Sequence, residues 1–101
     1  MKPFFHVGDF NGDGESDVAL LIKEKTTGKV GIAILEAKTK EFKIFGAGKS
    51  FGNGGDDFDW MDAWSIRHSG KVDRLYVAKS EAASAVIYWD GSKYKWQQEG
   101  D

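Results

Sequence analysis

Cysteine is absent from the 101 residues, which excludes disulfide staples, thiolate metal sites and cysteine nucleophiles together and leaves the redox compartment open. A single proline and no biased tract argue against a disordered chain. No apolar run approaches the roughly 20 residues of a membrane-spanning helix. Met1-Lys2-Pro3-Phe4-Phe5-His6 lacks the apolar segment and cleavage site of a signal peptide, so the expectation is a cytoplasmic chain or a processed form, without a membrane partner. Histidine is scarce: His6 and His68 stand outside any nucleophile motif, and no Walker-type glycine loop is present. An acid pair of the glycosidase kind needs a cleft that a sheet protein of this length would struggle to form. The reading is therefore non-enzymatic. Positive charge is thinly spread as well. Residues 1–50 carry eight lysines against seven acids (+1) and residues 51–101 six bases against nine acids (−3), with no basic cluster of the kind that tracks a phosphate backbone, so nucleic acid is not an expected partner.

What is present is a globular composition, 41% hydrophobic and 30% charged, enough for one domain to bury a core. Phe4 to Val7 predicts a short strand. Val18-Ala19-Leu20-Leu21-Ile22 predicts a second with both faces covered, and Val30 to Leu35 a third across a loose hairpin loop. The polar turn Glu36 to Glu41 leads to Phe42-Lys43-Ile44-Phe45, which alternates at period two as a strand with one wet face does. Gly46 to Asp59 is glycine-rich and acidic, the main loop or linker. Trp60 to Ile66, Leu75 to Ala78, Ala85 to Trp89 and Tyr94 to Trp96 predict four further strands, with turns at His68-Ser69-Gly70-Lys71 and Asp90-Gly91. No window holds a helical stripe. The expected fold is all-β, about eight short antiparallel strands in a single domain over 1–101. Laying Asp17 on Asp73 brings Ile34-Leu35 onto Val86-Ile87, which suggests two related four-stranded units, 4–45 and 60–96, joined by loop 46–59 and packed as a small sandwich or barrel.

The stretch with the sharpest chemistry is Asp9-Phe10-Asn11-Gly12-Asp13-Gly14-Glu15-Ser16-Asp17. A hard cation such as Ca²⁺ takes about six to eight oxygens, and oxygen-bearing side chains on alternate positions of a tight loop can wrap it. Gly14 supplies the left-handed turn such a wrap needs. Asp9, Asn11, Asp13 and Asp17 would offer side-chain oxygen and Glu15 its main-chain carbonyl. Four acids without a base repel one another when no cation is bound, so the metal-free loop should fray or hold raised pKa values. The competing reading is a loop held by internal hydrogen bonds of the Asn-Gly and Asp-Gly turn kind.

Residues 7–19, Val7-Gly8-Asp9 through Asp17-Val18-Ala19, resemble the calcium loop of FG-GAP and VCBS-type repeats, the blades of integrin α-chain propellers and of many bacterial surface proteins. The resemblance implies strand, calcium loop, strand in a propeller-like blade, with Asp9, Asn11, Asp13 and Asp17 as side-chain ligands and Glu15 as a main-chain ligand. The Gly-Ala-Pro that often follows the loop in such blades is replaced by Ala19-Leu20-Leu21, and of the ligand set the second unit keeps only Asp73. The loop also resembles the first half of an EF-hand, but position twelve is Leu20 rather than Glu.

Two further features stand apart. Asp56-Asp57-Phe58-Asp59-Trp60-Met61-Asp62 holds four carboxylates, no base and three large apolar side chains, which suits a solvated loop entering a strand, a looser cation site, or a surface for a basic protein partner through Asp56, Asp57, Asp59, Trp60 and Asp62. Trp60, Trp64, Trp89 and Trp96, with three tyrosines, suit a core or a sugar-stacking face; a regular strand would set Phe58, Trp60 and Trp64 on one side. Together the residues favour a calcium-stabilised binding or interaction module, monomeric or a small homo-oligomer. A carbohydrate-binding module or a small metal-dependent hydrolase are the alternatives. Millimolar calcium outside cells would fill a loop of moderate affinity, which favours an extracytoplasmic setting.

Overall fold

The computed structural model describes residues 4–80 and 82–100; the remaining positions of the span 1–101 expected to form one domain, residues 1–3, 81 and 101, lie outside the described residues. Eight antiparallel strands form two four-stranded sheets, neither closed into a barrel. The first is a meander of β1 (Phe5–Gly8), β2 (Asp17–Lys23), β3 (Val30–Leu35) and β4 (Phe42–Gly46). The second repeats the order with β5 (Ala63–Ser69), β6 (Val72–Lys79), β7 (Ala83–Trp89) and β8 (Tyr94–Gly100). Short connections allow only next-neighbour antiparallel pairing, hence two meanders. In the pairing register Ile34 lies opposite Ala19 and Ile87 opposite Leu75, so equivalent positions in β3 and β7 fall one residue later than the alignment of Ile34-Leu35 with Val86-Ile87.

The sandwich core follows from the period-two alternation. Ala19, Ile32, Ile34 and Phe45 of the first sheet meet Trp64, Leu75, Val77 and Ile87 of the second, all buried. Each large side chain so placed contributes about 1.5–3 kcal/mol relative to exposure. The glycine-rich span from Gly46 is less a linker than a plug. It folds into two short 3₁₀ turns, Gly52–Gly54 and Phe58–Trp60. Phe58 is fully buried, and Phe51 packs between Phe45 and Trp96. The strand expected from Trp60 therefore begins only at Ala63. Phe58 and Trp64 share the core through a 3₁₀ turn and not through strand alternation, because the Asp57 carboxylate accepts the Asp59 N–H and starts that turn. His68, read from sequence as a turn residue, lies in β5 opposite Asp73, and the hairpin closes over Gly70 and Lys71.

The outer faces differ in kind. On the second sheet Arg67 stacks over Tyr76 and pairs with Glu99, and Arg74 lies over Tyr88. On the first sheet the outward positions include two cross-strand rows that span all four strands, Phe5-Leu20-Ala33-Ile44 and Val7-Val18-Leu35-Phe42, without a polar side chain. Phe5, Val7 and Phe42 are more than half exposed and Ile44 is 37% exposed. Two expectations change here. The outward face of β2, through Val18, Leu20 and Ile22, is only partly covered. In β4 the apolar Phe42 and Ile44 point outward, because Phe45 takes the inward position opposite Ile32.

The turn between β7 and β8 shows how carboxylates serve the fold. Asp90 accepts the N–H groups of Lys93 and Ser92, and with Lys95 nearby its carboxyl is held down to about 2. A folded-state pKa below the ordinary 3.8 means this contribution is present above about pH 4 and lost as pH falls towards 2. Asp90→Ala is therefore expected to lower the melting temperature at pH 7, with the difference from the parent shrinking to nothing on acidification through that window in thermal melts.

Candidate metal centre

The loop from Asp9 to Asp17 joins the edge strand β1 of the first sheet to its neighbour, leaving β1 at Gly8 and entering β2 at Asp17. Its path is set by Asp9. One oxygen of that carboxylate accepts the N–H groups of Gly12 and Asp13 at 2.9 and 3.2 Å, and the other accepts Gly14 N–H at 2.9 Å. Gly12 and Gly14 adopt the positive φ values (72° and 88°) that bring those donors round. Asn11 Oδ1 accepts the Asp13 N–H, and Asp13 Oδ1 accepts the Glu15 N–H. Thus the internal hydrogen bonds expected of Asn-Gly and Asp-Gly turns are present, and the bonds that wind the loop leave the carboxylates of Asp9, Asp13 and Asp17 converging.

Asp17 closes the array from the first residue of β2 and is fully buried. Its oxygens accept Ala37 N–H at 2.9 Å and Phe10 N–H at 3.1 Å, tying the loop to the turn after β3. Burial pushes its carboxyl above the usual carboxylate range; the two backbone donors pull it back in part, and the neighbouring charges of Asp13 and Asp9 push it further. Asp9, Asp13 and Asp17 each present an oxygen, and these three atoms lie within 4.8 Å of one another. Two ligands at a calcium–oxygen distance of about 2.4 Å cannot be more than about 4.8 Å apart, so the trio satisfies the geometric condition for a shared ion.

Three residues outside the predicted set hold this loop in place. Glu36, the first residue after the apolar run of β3, is 4% exposed and accepts Asn11 Nδ2–H at 3.1 Å. That bond fixes the amide so that Oδ1 stays on the loop side. Tyr94 of β8 donates its hydroxyl to the same Glu36 oxygen, and burial, followed by the charges of Glu36 and Asp17, raises the phenol well above its ordinary value, so it stays protonated. Asp73 of β6 bridges the sheets: its carboxylate accepts Asp9 N–H at 2.9 Å and its own N–H donates to Asp9 C=O at 2.8 Å. Gly8 leaves room for this contact, since a methyl group there would sit 2.8 Å from the Asp73 carboxylate oxygen and displace it. Asp73, matched to Asp17 in the sequence, thus meets the backbone of Asp9 instead. The signal for Glu36 was weak, an acid directly after an apolar strand.

No protein-family model, curated protein or solved structure gives a significant match to this chain. The site stands on the geometry of its own residues.

The acidic stretch at 56–62 is placed on the opposite flank of the first sheet and is mostly engaged within the chain. Asp56 pairs with Lys29 at 2.6 Å, which holds the aspartate below and the lysine above their ordinary values. Asp57 accepts Val30 N–H as well as capping its 3₁₀ turn, and Asp62 accepts the N–H and hydroxyl of Ser80. Trp60 donates its indole N–H to Gly54 C=O. Asp59 is exposed. The base missing from the local sequence is supplied by Lys29, 27 positions upstream, a pairing that only the tertiary fold creates.

Proposed function

We propose that this domain is a non-catalytic binding module whose Asp9–Asp17 loop holds one calcium ion as a structural staple. The observation that carries it is the convergence of Asp9, Asp13 and Asp17 on one point, with Asp17 destabilised as an anion by burial first and by the charges of Asp13 and Asp9 after it. A divalent cation there would relieve that repulsion and be held by the side chains of Asp9, Asn11, Asp13 and Asp17 with the Glu15 carbonyl. The ion would supply positive charge where three carboxylates converge. The groups gathered behind the trio, Asn11, Glu36 and a protonated Tyr94, orient and screen the ligands and offer no nucleophile, which favours a structural over a hydrolytic role. A calcium titration of chelator-treated protein, followed by amide chemical shifts, should move residues 9–17, 36–37 and 73 together at one equivalent. Shifts spread over the surface, or none, would count against the site.

A carbohydrate-binding reading has one observation in its favour. Trp60 and Trp96 meet edge to face at 6.0 Å beside the amides of Asn53 and Gln98, in a shallow depression of about 150 Å³. A ring face with neighbouring amides is the chemistry of sugar recognition. Tryptophan fluorescence should then change on adding oligosaccharide and cease to change in Trp60→Ala; a glycan panel without any response removes this reading.

A further inference from the structure

The outward face of the first sheet is a plate of apolar side chains four strands wide and two rows deep, with no charged group between β1 and β4. We propose that this face is the dimerisation surface for a second copy of the chain, the two plates packing face to face about a two-fold axis.

Four of its side chains are between 37% and 55% exposed, Val18, Leu20 and Leu35 are half-buried, and Ala33 is buried. That leaves an open apolar area on the order of 500 Å². Two copies would remove on the order of 1,000 Å² of surface, at the lower limit for a specific interface. Charge selects the partner. A plate without charge meets itself with no repulsion in an isologous contact, where each residue near the axis faces its own copy. The second sheet's outer face, with Arg67, Arg74, Lys95 and Glu99, would have to desolvate those charges to take its place. Face-to-face packing of apolar sheet faces is also how the inner sides of the two sheets bury their side chains. The contact uses one and the same face of each copy, so the association closes at two copies.

Sedimentation equilibrium of the full chain from about 10 μM to about 1 mM should show a monomer–dimer equilibrium, weakened at least tenfold by Val7→Lys and by Phe42→Lys. Both positions are already more than half exposed, so the variants should keep the parent's circular dichroism and melting behaviour; Tyr88→Lys, on the other sheet, should leave association unchanged. Because the chain has no cysteine, Leu20→Cys at the plate centre gives a second readout: a short bismaleimide should link two copies, whereas Ser65→Cys on the opposite face should not link. A monomer across the whole range, or a dimer indifferent to both lysine variants, overturns the proposal. So does a monomer that co-sediments with phosphatidylcholine vesicles and loses that property in Phe42→Lys, since the plate would then be a membrane-binding face.

Discussion

Asp17→Ala is expected to destabilise the metal-free domain by about 2–5 kcal/mol, a large share of the 5–15 kcal/mol typical of a small domain. Two effects oppose each other at this position. Removing the carboxylate deletes a buried anion that Asp13 and Asp9 repel, which favours the variant. It also strands the Phe10 N–H in a buried site and the Ala37 N–H in a half-buried one, at about 1–3 kcal/mol for a buried donor left without an acceptor and less where water can reach. The second effect wins because the repelled anion lowers its own cost by taking up a proton, while a backbone N–H has no such escape. Asp13→Ala supplies the comparison. Its carboxylate is half-buried and accepts one exposed N–H, from Glu15, so its loss should cost under about 1 kcal/mol without metal. Urea denaturation of both variants in chelator gives the test; equal midpoints would show that Asp17 does not hold the loop to the turn after β3.

Calcium should change the pH response of the domain as well as its stability. The carboxyl of Asp17 is raised in the folded state, so between its ordinary value of 3.8 and the folded value the native protein binds more protons than the unfolded chain. The metal-free protein should therefore gain stability as pH falls from neutral into that window, until carboxylates held low, such as Asp90 and Asp56, lose their contributions in stronger acid. With a cation bound, protonation of the ligands competes with the metal, and the slope reverses: acidification through the same window should destabilise. Thermal melts from pH 7 to pH 4.5, with calcium and with chelator, should give slopes of opposite sign. The same sign in both series would place Asp17 outside the ligand set.

How much of this was legible beforehand depended on whether a feature was local in the chain. The eight strands were readable because apolar runs and alternation are written into five or six consecutive residues, and the loop because Asp9, Asn11, Asp13 and Asp17 are spaced for it. What escaped were relations across the fold. Glu36 and Tyr94 reach the loop from 25 and more positions away, and Lys29 neutralises an acidic stretch that looked free of bases. The 3₁₀ turn at Phe58–Trp60 replaced the first residues of a predicted strand because an Asx-type cap by Asp57 outweighs the strand preference of the aromatic residues around it. The apolar outer rows of the first sheet were hidden by Phe42-Lys43-Ile44-Phe45 itself. Alternation there says that two residues face each way, not which way faces the core.

The direct measurement is calorimetry of the chelator-treated chain at pH 7. Titrated with Ca²⁺, it should bind one ion with measurable heat, and at a calcium concentration about a hundred times the dissociation constant the domain should gain about 2.7 kcal/mol. A domain of this size would then melt roughly 10–20 °C higher, and Asp13→Ala should abolish both the heat and the shift. No heat and an unchanged melting temperature in millimolar calcium would contradict the staple and leave the Asp9–Asp17 loop as a turn held by its own hydrogen bonds.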